Sequence, residues 1–288
     1  MTAIYKREVR SYFNSITGWI FLAVMTAFTG IYFLVSNLLN GYAYFSYALN
    51  AVLFLFIVLV PLLTMRSMAE ERHSKTDQLL LTSPASVSAV VMGKYLAMMT
   101  VFLAPVLICC LCPLIIRMNG TAFLKADYAS ILAFFLLGGV QIAAGLLISA
   151  LTESQLIAAV GTFCVLLVLY LWDGLVGLLP SSASGSLIGL AMALAAVCLL
   201  LNGLSGSWKL TGAVGVMGAV LLGGCYLRDS SGFGGLLPDI LGNFSLMKVF
   251  SAFAVDHVFD LRGLLLYLSL IALLLFLVCQ VLQKRRWN

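Results

Sequence analysis

The sequence predicts an all-α, polytopic integral membrane protein with about eight transmembrane helices. Of its 288 residues, 62% are hydrophobic and only 9% are charged, so the helices of a water-soluble domain would lack the polar face that they need. Several charge-free runs are also long enough to cross a bilayer, because a hydrocarbon core of about 30 Å takes about 20 helical residues. The composition therefore excludes a soluble fold.

Polar breaks divide the apolar sequence into spans. The charge-free run 11–65 is interrupted at 36–41, and the run 174–208 is interrupted at Pro180. The predicted spans cover about 17–36, 46–65, 88–116, 128–151, 156–178, 186–202, 210–227 and 263–283. Gly and Ser lower the hydrophobicity of the pair after Pro180, and six spans with the same orientation remain without that pair.

The distribution of Lys and Arg predicts that both termini are cytoplasmic. This orientation places eleven basic residues on the cytoplasmic side and five outside. The cytoplasmic set includes Lys94, which lies one to two turns inside its span and is expected to snorkel back to the headgroups. The expected location is a bacterial plasma membrane.

The first fifteen residues are predicted to form an amphipathic helix in the cytoplasmic interface. Tyr5, Val9, Tyr12 and Phe13 recur at helical spacing, and basic side chains occupy the other side. The apolar run that follows is too long for a signal peptide and lacks a clear small-x-small cleavage site. A basic tail that only fixes the topology is the alternative.

Catalytic, metal and nucleotide signatures are absent from the sequence. All seven cysteines lie in predicted spans, which argues against a disulfide framework. No glycine loop with a following Lys and Ser or Thr is present, so the chain is expected to bind no ATP itself. A membrane enzyme acting on lipid is an alternative, but it would have only Asp256, His257 and Asp260 outside. An ion-coupled secondary transporter is disfavoured because deep charges are lacking.

The segment 66–77 is the most informative part of the chain, because it holds six of the 27 charged residues between two predicted spans. Ser67 and Glu70 form an S-x-x-E capping pattern, and Glu71 and Lys75 are spaced for a favourable i,i+4 pair. A helix is therefore expected to start near Ser67. Its mixed charge suggests a docking surface in water.

The same helix is expected to end before Pro84, since the residue preceding a proline avoids helical geometry. Leu79, Leu80 and Leu81 make its second half apolar. Such a helix suits a groove in another protein. The alternative is a solvated loop whose basic residues only set the topology, although that role requires neither glutamate.

Four stretches of the chain resemble one family of membrane proteins. They are 5–15, the pattern R-x-x-x-E-E-R-x-x-x-T-x-x-L-L-L-T-S-P over 66–84 with a following Gly-Lys, 151–155, and 260–287. These stretches are similar to permease subunits of type-2 ABC exporters, especially the gliding-motility-like branch. The resemblance covers most of the chain and leaves about 180–228 unmatched.

The resemblance implies that 66–84 is a coupling helix contacting a separate cytosolic ABC ATPase, which binds the ATP. The implied contacts are Glu70, Glu71, Arg72, Thr76, Leu79 and Leu80, with Glu153 and Gln155 as a secondary contact. The family pattern has Gly before the Thr and Glu two residues after it. In this chain Lys75 and Gln78 stand at those positions.

The resemblance also implies a single permease domain over 1–288, with no cofactor of its own. An inserted helix pair would occupy 180–228, and short re-entrant or interfacial helices would occupy 229–262 on the outer side. The expected partners are the ATPase, a second permease copy or a related permease, membrane lipid and an accessory extracytoplasmic protein, but no nucleic acid. The leading hypothesis is therefore the membrane subunit of an ATP-driven exporter.

Overall fold

A computed structural model describes residues 1–76, 86–180, 182, 185–189, 191–192, 217 and 235–287. These residues are mainly helical, and no strand occurs among them. The chain divides into two compact units. One comprises Met1–Tyr170 and Val249–Asn288, and the other is Leu171–Lys248.

The helices are numbered here in chain order. They are α1 (Thr2–Asn14), α2 (Ile16–Phe33), α3 (Ser46–Val52), α4 (Leu55–Thr64), α5 (Ala69–His73), α6 (Val87–Cys109), α7 (Cys112–Asn119), α8 (Leu124–Leu151), α9 (Gln155–Gly177), α10 (Leu236–Gly242), α11 (Leu246–Ala254) and α12 (Leu261–Trp287). A π-helical segment, Leu34–Leu39, continues α2.

Five helical stretches of the described chain are long and apolar enough to span a membrane, and the number rises to six if a bent pair forms one span. They match six of the predicted spans, and the all-α, polytopic membrane fold is confirmed. The predicted spans 186–202 and 210–227 lie almost entirely outside the described residues. The total of eight therefore stays a prediction.

The predicted span 46–65 is not one straight helix. Helices Ser46–Val52 and Leu55–His73 meet at an angle of 62°. Around the break, the amides of Leu53 and Phe56 donate to carbonyls three residues earlier, which tightens the turn. Pro61, one turn further on, has no N–H to donate. The apolar pattern alone does not reveal this bend.

Helix α8 lies at the centre of the unit that contains both termini. It packs against α3, α4, α6 and α12. Phenylalanines from different helices meet at its middle: Phe134 lies 4.9 Å from Phe56 and 6.2 Å from Phe250, measured between ring centroids. Near its C-terminal end, a side chain at Gly145 would collide with Thr64 of α4. This glycine therefore permits the close approach of the two helices.

Hydrogen bonds join the N-terminal end of α8 to the loop before α3 and to the end of α11. The Asp127 carboxylate accepts a bond from the Phe45 amide at 2.8 Å. The Ser130 hydroxyl donates to the Phe253 carbonyl at 2.9 Å, and the Ser46 hydroxyl donates to the Ala254 carbonyl at 2.7 Å. These bonds fix the start of α3 and the end of α11 to α8.

Aromatic rings lie at this same end of α8. The Tyr44 ring stacks on Phe123 at 4.6 Å and on His257 at 3.7 Å between centroids. The Asn37 amide donates to the carbonyls of Tyr42 and Tyr44, which closes the loop between the π-helical segment and α3. The loop is therefore held by these amide bonds, by the bond from Phe45 to Asp127 and by ring stacking.

The segment 229–262 contains the two short helices α10 and α11 among its described residues. Their position at the outer interface stays a prediction.

Within the unit Leu171–Lys248, the Trp172 indole donates to the Leu241 carbonyl at 2.9 Å. A side chain at Gly189 would collide with Leu237, so this glycine of the predicted insertion packs within the unit.

Candidate functional site

The charged segment after α4 forms only a short helix, α5. The expected Ser67 cap is wrong, since Met68 is the N-cap and no side chain of the segment caps the helix. Instead, the amides of Met68 and Ala69 both donate to the Ser149 hydroxyl at 3.1 Å. Because Ser149 belongs to the last turn of α8, the start of α5 is attached to the central helix.

Helix α5 ends at His73, well before Pro84. Ser74 caps its end, and Lys75 adopts a left-handed conformation with φ 57°. This conformation suits glycine and costs other residues energy. A helix running unbroken from Ser67 towards Pro84 is therefore wrong, while 77–85, with Leu79 and Leu80, lie outside the described residues.

Lys94 of α6 is buried beneath α5, with only 2% of its side chain exposed. Its ammonium donates to the Ser67 carbonyl at 2.7 Å and contacts the carboxylates of Glu71 at 2.9 Å and Glu8 at 3.2 Å. The ammonium thus donates hydrogen bonds to Ser67 and Glu8 and forms a further ion pair with Glu71. The prediction that Lys94 snorkels to the headgroups is wrong, because its ammonium is buried against the carboxylates of Glu8 and Glu71.

Arg7 completes this cluster on the side of α1. Its guanidinium lies 2.7 Å from Glu8 and 2.8 Å from Glu71. The hydrogen bond with Glu8 raises the pKa of Arg7, against the opposing effect of partial burial. Glu71 therefore pairs with Arg7 and Lys94 rather than with Lys75, and the expected i,i+4 pair is wrong. Two cations and two carboxylates join α1, α5 and α6.

Tyr12 adds an uncharged link between α1 and α4. Its buried hydroxyl donates to the Leu63 carbonyl at 3.1 Å. Burial raises the pKa of Tyr12, so the group remains a neutral donor. A side chain at Gly18 would collide with the Tyr12 carbonyl, and this glycine therefore lets the chain turn closely from α1 into α2.

A second ion pair joins α5 to the turn between α8 and α9. Arg72 lies 2.7 Å from Glu153, and its side chain is largely covered while that of Glu153 is mostly exposed. Arg72 also donates a long bond to the Ala150 carbonyl at 3.5 Å. Gln155 follows at the start of α9 and is partly exposed.

The predicted contact residues therefore fall on two sides of the segment. Glu71 and Arg72 point into intramolecular ion pairs. Glu70 and Thr76 are exposed, as is His73 between them. Exposed side chains of α5 and of the turn after it thus remain outside the contacts that attach α5 to α1, α6 and α8.

Arg7, Glu8, Lys94 and Ser149 are functional candidates that sequence reasoning missed. Lys94 carries a visible signal, because it is a charge placed inside an apolar span. Glu8, an acid within a basic helix, is its natural counterpart. No sequence pattern indicates Ser149, whose role depends on where α8 ends.

No group of three or more potential metal ligands occurs among the residues described by the structure. No curated protein matches the sequence. Residues 6–172, which include most of α1, the ion cluster and most of α9, match the model of the ABC-2 family transporter proteins. This match covers more than half of the chain, and the chain therefore belongs to the ABC-2 family of transporter proteins.

Proposed function

We propose that the chain is the permease subunit of an ATP-driven exporter of the gliding-motility-like branch. Membership of the ABC-2 family implies an ABC ATPase subunit as a partner and a transport role for the membrane component. In this proposal the ATPase binds and hydrolyses the ATP. The permease carries no cofactor and converts movement of its partner into movement of its helices.

The attachment of α5 is the observation that carries the proposal. The helix is bonded to α8 through Ser149, to α6 through Lys94 and to α1 through Arg7. A force applied to its exposed residues therefore reaches α1 and the two long helices α6 and α8 directly. A solvated loop that only set topology would need none of these bonds.

The exposed side of α5 supplies a surface for the ATPase. Glu70, His73 and Thr76 lie on it, and hydrogen bonds from the Ser74 hydroxyl to the Glu70 carbonyl and from Thr76 to the Glu71 carbonyl hold its end. Glu71 and Arg72 form ion pairs within the chain and do not belong to this surface. In this scheme they position α5, and their contact with the ATPase, like that of Glu153 and Gln155, is indirect.

The same proposal implies an orientation in the membrane and a set of partners. Both termini and α5 face the cytoplasm of a bacterial cell, where the ATPase is found. Two permease copies, or this chain and a related permease, present two α5 helices to two ATPase subunits. An accessory extracytoplasmic protein would contact the opposite side.

Charge reversal at Glu70 tests the proposed surface. Glu70→Lys is expected to reduce co-purification of a candidate ABC ATPase at least tenfold and to reduce permease-stimulated ATP turnover, because this residue is exposed and outside the ion cluster. Asp256→Lys is the matched control, since it reverses an exposed acid near His257. Equal loss in both variants, or no loss in either, overturns the assignment of the surface.

A further inference from the structure

A polar cavity of about 350 Å³ lies beside the ion cluster. Its walls come from α1, the turn into α2, α6 and the start of the segment containing α5. The lining residues are Arg7, Glu8, Ser11, Tyr12, Ser15, Thr17, Arg66, Ser67, Glu70, Glu71 and Lys94. This volume is large enough for a small polar headgroup.

Only some of the charged groups around the cavity form ion pairs with one another. Arg7, Glu8, Glu71 and Lys94 neutralise one another. Arg66 and Glu70 are exposed and belong to none of the ion pairs of the described residues. The cavity thus presents the cation of Arg66 and the anion of Glu70 to a ligand. A ligand that bears both a negative and a positive charge therefore complements it better than a simple anion does.

Two aromatic side chains beside the cavity are of the kind found at the level of lipid headgroups. Phe13 and Trp19 flank the lining residues Ser15 and Thr17 in sequence, and their rings meet edge to face at 6.2 Å. The Trp19 side chain is exposed, while its indole N–H donates to the Phe13 carbonyl. Tryptophan in this situation is typical of the membrane interface, where one part of the ring system is apolar and the other polar.

We propose that the cavity binds the phosphoethanolamine headgroup of a membrane lipid. Arg66 would hold the phosphate by charge-assisted hydrogen bonds, with the Ser11 hydroxyl as a further donor, while Glu70 would accept hydrogen bonds from the primary ammonium. A choline headgroup has no N–H to donate to Glu70 and is therefore bound less well. This inference does not depend on the ATPase, because every contact lies within this chain and one lipid.

The intact chain can be tested in nanodiscs that contain equal amounts of phosphatidylethanolamine and phosphatidylcholine. Native mass spectrometry after release from the disc would count the lipids that remain bound. We expect retention of one ethanolamine lipid per chain in preference to the choline lipid. Arg66→Gln is expected to reduce the retention of the ethanolamine lipid about tenfold, the size of one charge-assisted hydrogen bond, because Arg66 holds its phosphate.

Arg10→Gln is the matched control, since it removes an exposed arginine of α1 that does not line the cavity. Ser11→Leu is a second variant, which fills the cavity from an exposed position without touching the ion cluster. It is expected to abolish the preference while leaving the unfolding midpoint unchanged. Equal retention of the two lipids by the original chain, or equal effects of Arg66→Gln and Arg10→Gln, overturns the proposal.

A competition experiment distinguishes binding of the lipid from binding of the free headgroup compound. Phosphoethanolamine alone is added to the chain in detergent, and competition for the retained lipid is measured. Because the apolar tails contribute to binding in the membrane, competition is expected only at a large molar excess. Displacement by equimolar phosphoethanolamine would show a site for the free compound and contradict the assignment to a lipid.

Discussion

Helix α8 joins two ends of the unit that contains both termini, and different kinds of bond hold the two ends together. We call one the Lys94 end, defined by Arg7, Glu8, Glu71, Lys94 and Ser149, and the other the Asp127 end, defined by Asn37, Phe45, Asp127, Ser130 and His257. At the Lys94 end, charged side chains from three helices share a few contacts. At the Asp127 end, separate hydrogen bonds to backbone groups and ring stacks hold the loops.

The two kinds of bonding suit the two ends to different roles. At the Lys94 end, one ammonium contacts Ser67, Glu8 and Glu71, so its removal disrupts all three contacts at once. The same contacts link α5 to α1 and α6. The Asp127 end distributes its bonds among several donors, and each can be lost with a smaller effect. The Lys94 end is therefore suited to transmit a movement, and the Asp127 end is suited to keep its loops in place.

The largest effect is expected from Lys94→Met. Loss of the buried ammonium leaves the Glu8 and Glu71 carboxylates short of a partner, and breaking such a buried pair costs about 3 to 5 kcal/mol. Chemical unfolding in detergent measures this loss. Lys6→Met is the control, because it makes the same substitution at an exposed lysine of α1. Equal unfolding midpoints for the two variants would contradict a structural role for the cluster.

Asp127→Ala is expected to have a smaller effect at the other end. It leaves the buried Phe45 amide without its acceptor, which costs about 2 kcal/mol in the same unfolding measurement. Asp127→Asn keeps an acceptor oxygen and is expected to recover most of that loss. If Asp127→Ala destabilised the protein more than Lys94→Met, the proposed ranking of the two ends would be reversed.

Lys75→Gly is expected to stabilise the Lys94 end by about 1 kcal/mol, because Lys75 adopts a left-handed conformation that glycine accepts without strain. The unfolding midpoint again provides the measurement. Lys75→Ala removes the charge but keeps the Cβ atom and should give no such gain. A gain shared by both variants would point to the charge and not to the backbone.

The smallest effect is expected from Glu153→Gln at the rim of the Lys94 end. Glu153 is mostly exposed, and surface ion pairs contribute less than about 1 kcal/mol. The loss is expected to disappear at about 1 M salt, where screening extends to about 3 Å. Glu70→Gln, which removes an exposed acid outside the ion pairs, serves as the control and should show no salt-dependent loss.

The fold could be predicted where it depends on apolar length. Six spans and the N-terminal helix follow from runs of hydrophobic residues and from the spacing of Tyr5, Val9 and Tyr12. The bend after Val52 could not be predicted, since it depends on local turns within an uninterrupted apolar run. Sequence indicates how much chain lies in the membrane better than it indicates where a helix breaks.

The candidate site could be predicted only as a segment. The charge density of 66–77 identifies the region, and exposed Glu70 and Thr76 remain candidates for the ATPase contact. The partners of Glu71 are far away in sequence, at Arg7 and Lys94, so a local i,i+4 pattern predicts the wrong one. The helix cap likewise comes from Ser149, which the local S-x-x-E pattern could not reveal.

Site-specific crosslinking to a candidate ABC ATPase tests the functional difference between the two ends most directly. A photoreactive residue would replace His73 or Thr76 near the Lys94 end, and Phe123 or Val258 near the Asp127 end; all four positions are exposed. Crosslinks that depend on the ATPase are expected from positions 73 and 76, and none are expected from 123 or 258. Crosslinks from the Asp127 end alone, or equally from both ends, would contradict it.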